Sequence, residues 1–487
     1  MYSFSVLKHE IEGYGFHYSF RKYLFSMCSM LLIILVTSII YCLKVPYLLF
    51  ISVTGLLFVP FIIRAQFRYL FEQKRFDDVV VYLEQMAYSF QKQPKILMAL
   101  KDTENVTEGR MQELIRKAIV FLEEENSEAV YQDALGMIEE EYKCSRIHAL
   151  HNFMIKVEEC GGNYTRYLNV LVMDFNRWTE RTYLNQKDMN NTKRKSSIAI
   201  ILSFFIAAMS LFIKTYCDIT NEFLYQSVAV GFLLCCTIFY ALLQFKLTVS
   251  WLDQHKDDKM ILRDYNKALY GNINKVRKKS IPIYMLFLAL DAGLYVQGQR
   301  MMAAGFLIIT LLLPFVPVFN KNNARKRTIA EIRNCFPEWL RDVALNLQFR
   351  TVQTAIEDSY RDCPVVLQEA VKKMKEELQE NPSAITPYYN FLKEFKVLDI
   401  TSNVKSLYSM TESNKEDMAE NLAAFMNRNY TMMDKNEKIT SEDKINTVNF
   451  LIYIPMILAC LKLLVDMTVF ISVFVQNIGS VQNNITF

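Results

Sequence analysis

Residues 193–213 read Lys193-Arg-Lys-Ser-Ser-Ile-Ala-Ile-Ile-Leu-Ser-Phe-Phe-Ile-Ala-Ala-Met-Ser-Leu-Phe-Ile213: three consecutive cations, then a long run without a charge. An uncharged apolar run of this length suits one helical crossing of a bilayer core about 30 Å thick. The residues leading into it, 65–195, are polar and carry a helical pattern, so a soluble helical block runs straight into a membrane span. The same passage recurs downstream, where the polar, helix-patterned block 320–445 enters the apolar residues 448–475. A spacing of about 260 residues indicates a duplicated domain, since solenoid repeats have periods of roughly 20–50.

Working outward gives seven spans. Between Lys22 and Arg64 the only charge is Lys44, a stretch too long for one crossing, which divides into helices 24–43 and 45–63 at Lys44-Val45-Pro46. Further spans are expected at 196–213, 224–245, 281–297, 301–319 and about 448–475, the last open to being a hairpin broken near Lys462. Arg21 and Lys22 before the first span imitate a secretion signal, but the apolar run is too long and a second span follows at once, so an uncleaved anchor is expected.

Lys and Arg collect on one side. Arg64, Arg68, Lys74 and Arg75 open the first polar block and Lys193, Arg194 and Lys195 close it. Lys275, Arg277, Lys278 and Lys279 precede the fifth span, and Lys321, Arg325, Lys326 and Arg327 follow the sixth, while the opposite loops hold only Lys44, Lys214 and Arg300. By the positive-inside rule both blocks and the N-terminus are cytoplasmic and the C-terminus lies outside, in a multi-pass protein of the cell membrane. Segment 1–23, rich in Tyr, Phe and His, suits the membrane interface.

Composition agrees: 52% hydrophobic with 22% charged residues fits a chain that is part membrane, part soluble. The net charge of +4 is accounted for by the membrane flanks and gives no case for nucleic acid. Ten cysteines form no CxxC pair, so reduced thiols are expected; only Cys217 falls clearly in an outer loop.

Each polar block reads as about six helices. The first gives 72–92, 94–103, 108–124, 127–142, 145–160 and 163–195, with Leu83, Met86, Ala87 and Phe90 on one face. Ser127 and Ser145 suit N-caps, and Gly161-Gly162 ends the fifth helix. The second gives 328–349, 351–361, 364–380, 382–396, 399–412 and 415–447, with Pro364 and Pro382 at helix starts. The expected fold is therefore all-α: a polytopic membrane protein with two cytoplasmic antiparallel bundles and about seven membrane helices. Its parts are 1–64 (interfacial segment, spans 1–2), 65–195 (bundle 1), 196–245 (spans 3–4), 246–280 (basic connector), 281–319 (spans 5–6), 320–447 (bundle 2) and 448–487 (span 7 and tail). Short strings match in the same order: Leu83–Gln91 with Leu340–Gln348, Ala99-Leu100 with Ala355-Ile356, and Asn176-Arg177 with Asn427-Arg428.

Phe336-Pro-Glu-Trp-Leu-Arg-Asp-Val-Ala344 followed by Thr351-Val-Gln-Thr-Ala-Ile356 resembles the opening of a type II secretion system protein F domain. Val157-Glu-Glu-Cys-Gly-Gly-Asn-Tyr-Thr-Arg-Tyr-Leu168 resembles that family's second recognisable stretch, with Gly161 and Gly162 as its turn; the second half has Asn414-Lys415 there. The chain looks like two units of the tight-adherence (Flp-type) branch fused. The resemblance implies the inner-membrane platform of a pilus or secretion machine, without catalysis or cofactor. Its implied partners are a cytoplasmic ATPase, pilin or pseudopilin subunits, membrane lipid and further copies of itself. A secondary transporter with duplicated halves is the rival reading.

No GxxxxGK[ST] phosphate loop, HExxH zinc motif or GxSxG elbow occurs in the chain. Cys144, His148 and His151 fall on one helical face near Glu140, a spacing zinc accepts, although an ordinary partly buried face has the same look. Three charges stand inside spans: Asp291 in the fifth, Lys462 and Asp466 four apart in the last. Such groups suit a proton or ion path, or else neutralise one another, Lys462 pairing with Asp466 or with Asp291. The basic stretch 246–280, with Trp251 and Tyr265, suits lipid headgroups or an ATPase; a solvated, membrane-hugging connector is the commoner meaning.

Overall fold

The computed structural model describes residues 4–124, 130–161, 164–215, 218–248, 250–252, 258–296, 310–311, 313–347, 350–411 and 415–485. Every element among them is helical, and none is a strand. Helices α1 (Phe4–Gly13), α2 (Phe20–Ile40), α3 (Val45–Lys92), α4 (Ile96–Glu104), α5 (Gly109–Glu124), α6 (Val130–Tyr142), α7 (Ser145–Cys160) and α8 (Thr165–Ala208) make the first half. Then come α9 (Phe223–Leu247), α10 (Asp258–Tyr270), α11 (Ile273–Val296), α12 (Val316–Asn346), α13 (Val352–Asp358), α14 (Val365–Glu380), α15 (Thr386–Asn390), α16 (Leu398–Thr411), α17 (Lys415–Leu451) and α18 (Ile454–Ile485).

Five helical stretches are long and apolar enough to cross a membrane: Phe20–Ile40, Val45–Lys92, Tyr167–Phe212, Phe223–Leu247 and Asn421–Gln476. This is a multi-pass membrane protein. The fifth expected span falls on α11, where the apolar part, Ser280–Ala289, is short, and most of 301–319 lies outside the described residues, as does Cys217. The membrane helices α2, α3, α8, α9 and α18 pack around Ile34, Ile51, Ala207, Val230, Leu233, Cys236 and Ala459, while Phe25, Leu32, Phe205 and Phe245 point outward. In lipid no hydrophobic force separates inside from outside, so close packing of small residues decides the contacts. Gly55 is one: a Cβ there would come within 2.6 Å of Ile34 Cδ1. The α2–α3 turn arises because Lys44 is extended before Val45-Pro46, and Pro46 needs no N–H in the first helical turn.

The polar helices bury the stripes their spacing announces. Leu83, Met86, Ala87 and Phe90 are all inaccessible, and one apolar core runs without interruption from these residues through α4–α8 into α12–α17. Part of the 246–280 connector joins that core: α10 lays Tyr265 and Ala268 on the second half, Arg327 meets Asp264 at 3.1 Å, and the Tyr270 hydroxyl donates to Glu369 at 3.2 Å. Apolar periodicity alone did not separate this buried helix from a surface strip.

Two local departures have clear causes. The helix expected over 382–396 is broken into α15 and a single 3-10 turn at Lys393–Phe395, because Pro387 can begin a helix but not sit inside one, and Leu392 and Lys396 take left-handed backbone angles. The N-cap of α7 is Cys144, with Ser145 already helical; Ser127 lies outside the described residues.

Candidate functional site: a charged clamp between two long helices

Helices α8 and α17 leave the polar core and run into the membrane, α17 through a two-residue turn into α18. They lie against each other. On α8 the positions Leu171, Asp174, Phe175 and Trp178 share one face, so an acid sits in an apolar stripe. Its partner is Arg146 on the first turn of α7, whose Nε lies 3.3 Å from Asp174 Oδ2 and whose guanidinium stacks over the Trp178 ring at 4.8 Å. Both charged groups are almost fully buried. The other end of Arg146 reaches Glu437 of α17 at 2.7 Å, and Arg181 of α8 holds the second Glu437 oxygen at 2.5 Å as well as Asp434. Two arginines of the first half thus straddle one glutamate of the second.

A buried ion pair adds little stability over an apolar pair of the same shape, but it costs several kcal/mol to break, because a charge is then left in a low dielectric. Such a cluster fixes register between elements. Nearby, Arg341 of α12 donates to the Ser145 carbonyl at 3.1 Å and Lys156 of α7 bonds Asn346. The Phe336-Pro337 motif is tied to the same long helix. Pro337 lacks the N–H that would bond the Arg333 carbonyl, and Asn436 of α17 supplies a donor to that carbonyl at 2.7 Å; Asn429 donates to the Pro337 carbonyl at 2.7 Å.

Inside the membrane α8 meets α18, the continuation of α17 beyond the turn. Lys462 pairs with Asp466 on its own turn of α18, and its ammonium also donates to Ser210 Oγ at 2.7 Å and to the Ala207 carbonyl at 3.1 Å, at the end of α8. The rings of Tyr41 and Tyr225 face the cation at 5.0 and 4.8 Å. The pair is sealed, with Asp466 at 0% and Lys462 at 2% exposure. Asp291 is buried on α11 and makes no ion pair with either of them.

His148 and His151 turn their Nδ1 atoms to the two oxygens of Glu139, at 2.6 and 2.7 Å, and the Tyr82 hydroxyl meets His151 Nε2 at 2.7 Å. The acid facing the histidines is therefore Glu139, one residue from Glu140. Cys144 caps α7, and among the described residues no group of three or more His, Cys, Asp or Glu side chains is placed to hold a metal. Burial raises the Glu139 carboxyl, but the hydrogen bonds from His148 and His151 outweigh it and hold it down at about 2; the bond to Glu139 in turn raises His148. Gly161 ends α7 with φ +69°, a region costly for any side chain, and its N–H returns to the Val157 carbonyl at 2.8 Å. Gly162 and Asn414 lie outside the described residues, and α17 begins at Lys415.

Sequence reasoning found the intramembrane pair and missed the clamp. Arg146, Arg181, Asp434 and Glu437 look like any solvated helix surface; the one available signal was Asp174 at an apolar position. Comparison of the chain with protein-family models, curated proteins and solved structures finds no match. What the chain does is therefore argued from its own residues.

Proposed function

We propose that this chain is a mechanical platform in the cell membrane that couples a cytoplasmic ATPase to the extraction and assembly of pilin or pseudopilin subunits, as in a tight-adherence-type pilus or a type II-like secretion machine. In this reading the chain has seven spans and a duplicated bundle, and the clustering of Lys and Arg supports a cytoplasmic position for both polar halves. The halves act as fused copies, and several chains surround the filament base. The observation that supports the reading best is the continuity of α8: one unbroken helix, Thr165–Ala208, begins in the polar core and ends beside the Lys462–Asp466 pair. A push on the core would reach the membrane with no joint to absorb it. The partner supplies the ATP chemistry, since the chain carries no phosphate-binding loop.

The test is co-purification from the native membrane. An assembly ATPase and a short, N-terminally apolar pilin should accompany the chain. A tightly bound small solute with neither protein present would favour the transporter reading, for which the buried Lys462–Asp466 pair would be the starting point.

A further inference from the structure

At the start of α2 and beside the middle of α3, where α3 passes from its apolar to its polar residues, an open cavity of about 510 Å³ is lined by Tyr18, Arg21, Lys22, Phe25, Ile63 and Phe67 among others. Its chemistry is two-sided. Arg21 and Lys22 occupy the first turn of α2, are exposed, and form no ion pair among the described residues. Neighbouring acids are already engaged: Glu10 binds Arg64 at 2.7 Å and Glu12 binds Lys8 at 3.6 Å. The free N–H groups of a helix start add positive potential at the same place. Below lie the apolar side chains of Phe25, Ile63 and Phe67. The wall carries an unusual group: Tyr18 is 2% exposed, packed edge-on to Phe67 at 5.2 Å, and its hydroxyl has no hydrogen-bond partner. The hydroxyl itself is closed off by this packing, so the polar contacts the cavity offers are those of Arg21, Lys22 and Gln66.

We infer that this cavity binds one anionic phospholipid, its phosphate held by Arg21 and Lys22 and its acyl chains laid along Phe25, Ile63 and Phe67. Position supports a lipid over a free anion. The cationic rim stands at the polar end of two membrane helices and the apolar floor descends along them, as a basic interhelical headgroup site requires. The short helix α1 is held against α3 by the Glu10–Arg64 pair, and Tyr14 just beyond it stacks on Phe71 at 4.6 Å. The inference is independent of the platform reading.

The experiment uses the full chain purified in detergent and delipidated, then offered phosphatidylglycerol or phosphatidylcholine, with bound lipid counted by native mass spectrometry. One phosphatidylglycerol per chain should be retained at concentrations where phosphatidylcholine is not. Arg21→Gln with Lys22→Gln should weaken retention about ten-fold, whereas Arg68→Gln with Lys74→Gln, an equal loss of charge outside the cavity, should not. Ser26→Trp, which fills the cavity and keeps both cations, should also abolish retention while leaving the thermal midpoint in detergent unchanged. Undiminished retention by the Arg21→Gln, Lys22→Gln variant, an equal loss in the Arg68→Gln, Lys74→Gln control, or equal retention of both lipids by the wild type would overturn the inference. So would displacement of the lipid by millimolar inorganic phosphate, which would make the site one for a free anion.

Discussion

Lys462 and Asp466 illustrate how a charge survives inside a membrane. The ammonium has a carboxylate, a hydroxyl, a carbonyl and two aromatic faces around it, so its lost hydration is replaced on every side. Lys462→Met should leave Asp466 buried and unpaired and destabilise the membrane bundle by about 3–5 kcal/mol, whereas Lys462→Met with Asp466→Leu should recover most of the loss. Denaturant unfolding in detergent would measure both; a double variant that folds well but loses assembly would assign the pair a role beyond structure. A second residue-scale outcome concerns pH. Glu139 is held at about 2, below its ordinary 4.5, so its contribution is full above about 4.5 and lost as pH falls toward 2. His148 is raised above 6.5, so its contribution is full below 6.5 and lost as pH rises through the folded value. The stability difference between wild type and Glu139→Gln should therefore peak between pH 4.5 and 6.5 and shrink on either side, which thermal unfolding across pH would reveal. The i, i+4 spacing made the Lys462–Asp466 contact readable in the sequence. The choice of Glu139 over Glu140 was not, because it depends on the angle at which α6 meets α7.

At the level of elements, helix spans were largely legible because apolar spacing, proline and glycine act locally. The helix ends near Lys92, Glu124, Tyr142 and Cys160 follow from such signals. The failure at 382–396 came from weighing Pro382 as a start while passing over Pro387 five residues later. What local signals could not convey is how long helices pair, since α8 and α17 are brought together by residues nearly 260 positions apart, Arg181 with Glu437. Continuity of α8 is the element-scale claim. Leu184 is exposed on its interior, so Leu184→Pro removes a backbone bond and kinks the helix at a cost of about 3 kcal/mol without emptying the core, which Leu171→Pro would do. If the proposed platform role holds, the variant should insert, still bring down the partner ATPase and fail to assemble filaments; normal assembly would show that an unbroken helix is not needed.

For the whole molecule, the sequence led to a membrane protein with two polar helical blocks, and it did not show that one apolar core joins them. That junction is closed by charges, whose partners are invisible until the helices are placed. The clamp ties α8 to α17, so under the proposed platform role work done on either half would reach the same membrane bundle. The most direct test exchanges the charges of Arg181 and Asp434, since Asp434 is partly exposed and tolerates a longer side chain. In a strain relying on the altered gene, Arg181→Asp should place the protein in the membrane yet reduce assembled pilin or secreted cargo at least ten-fold. Adding Asp434→Arg, which restores opposite charges across the two helices and faces Glu437 as well, should recover most of the output. Full output from Arg181→Asp alone would contradict the coupling of the two helices.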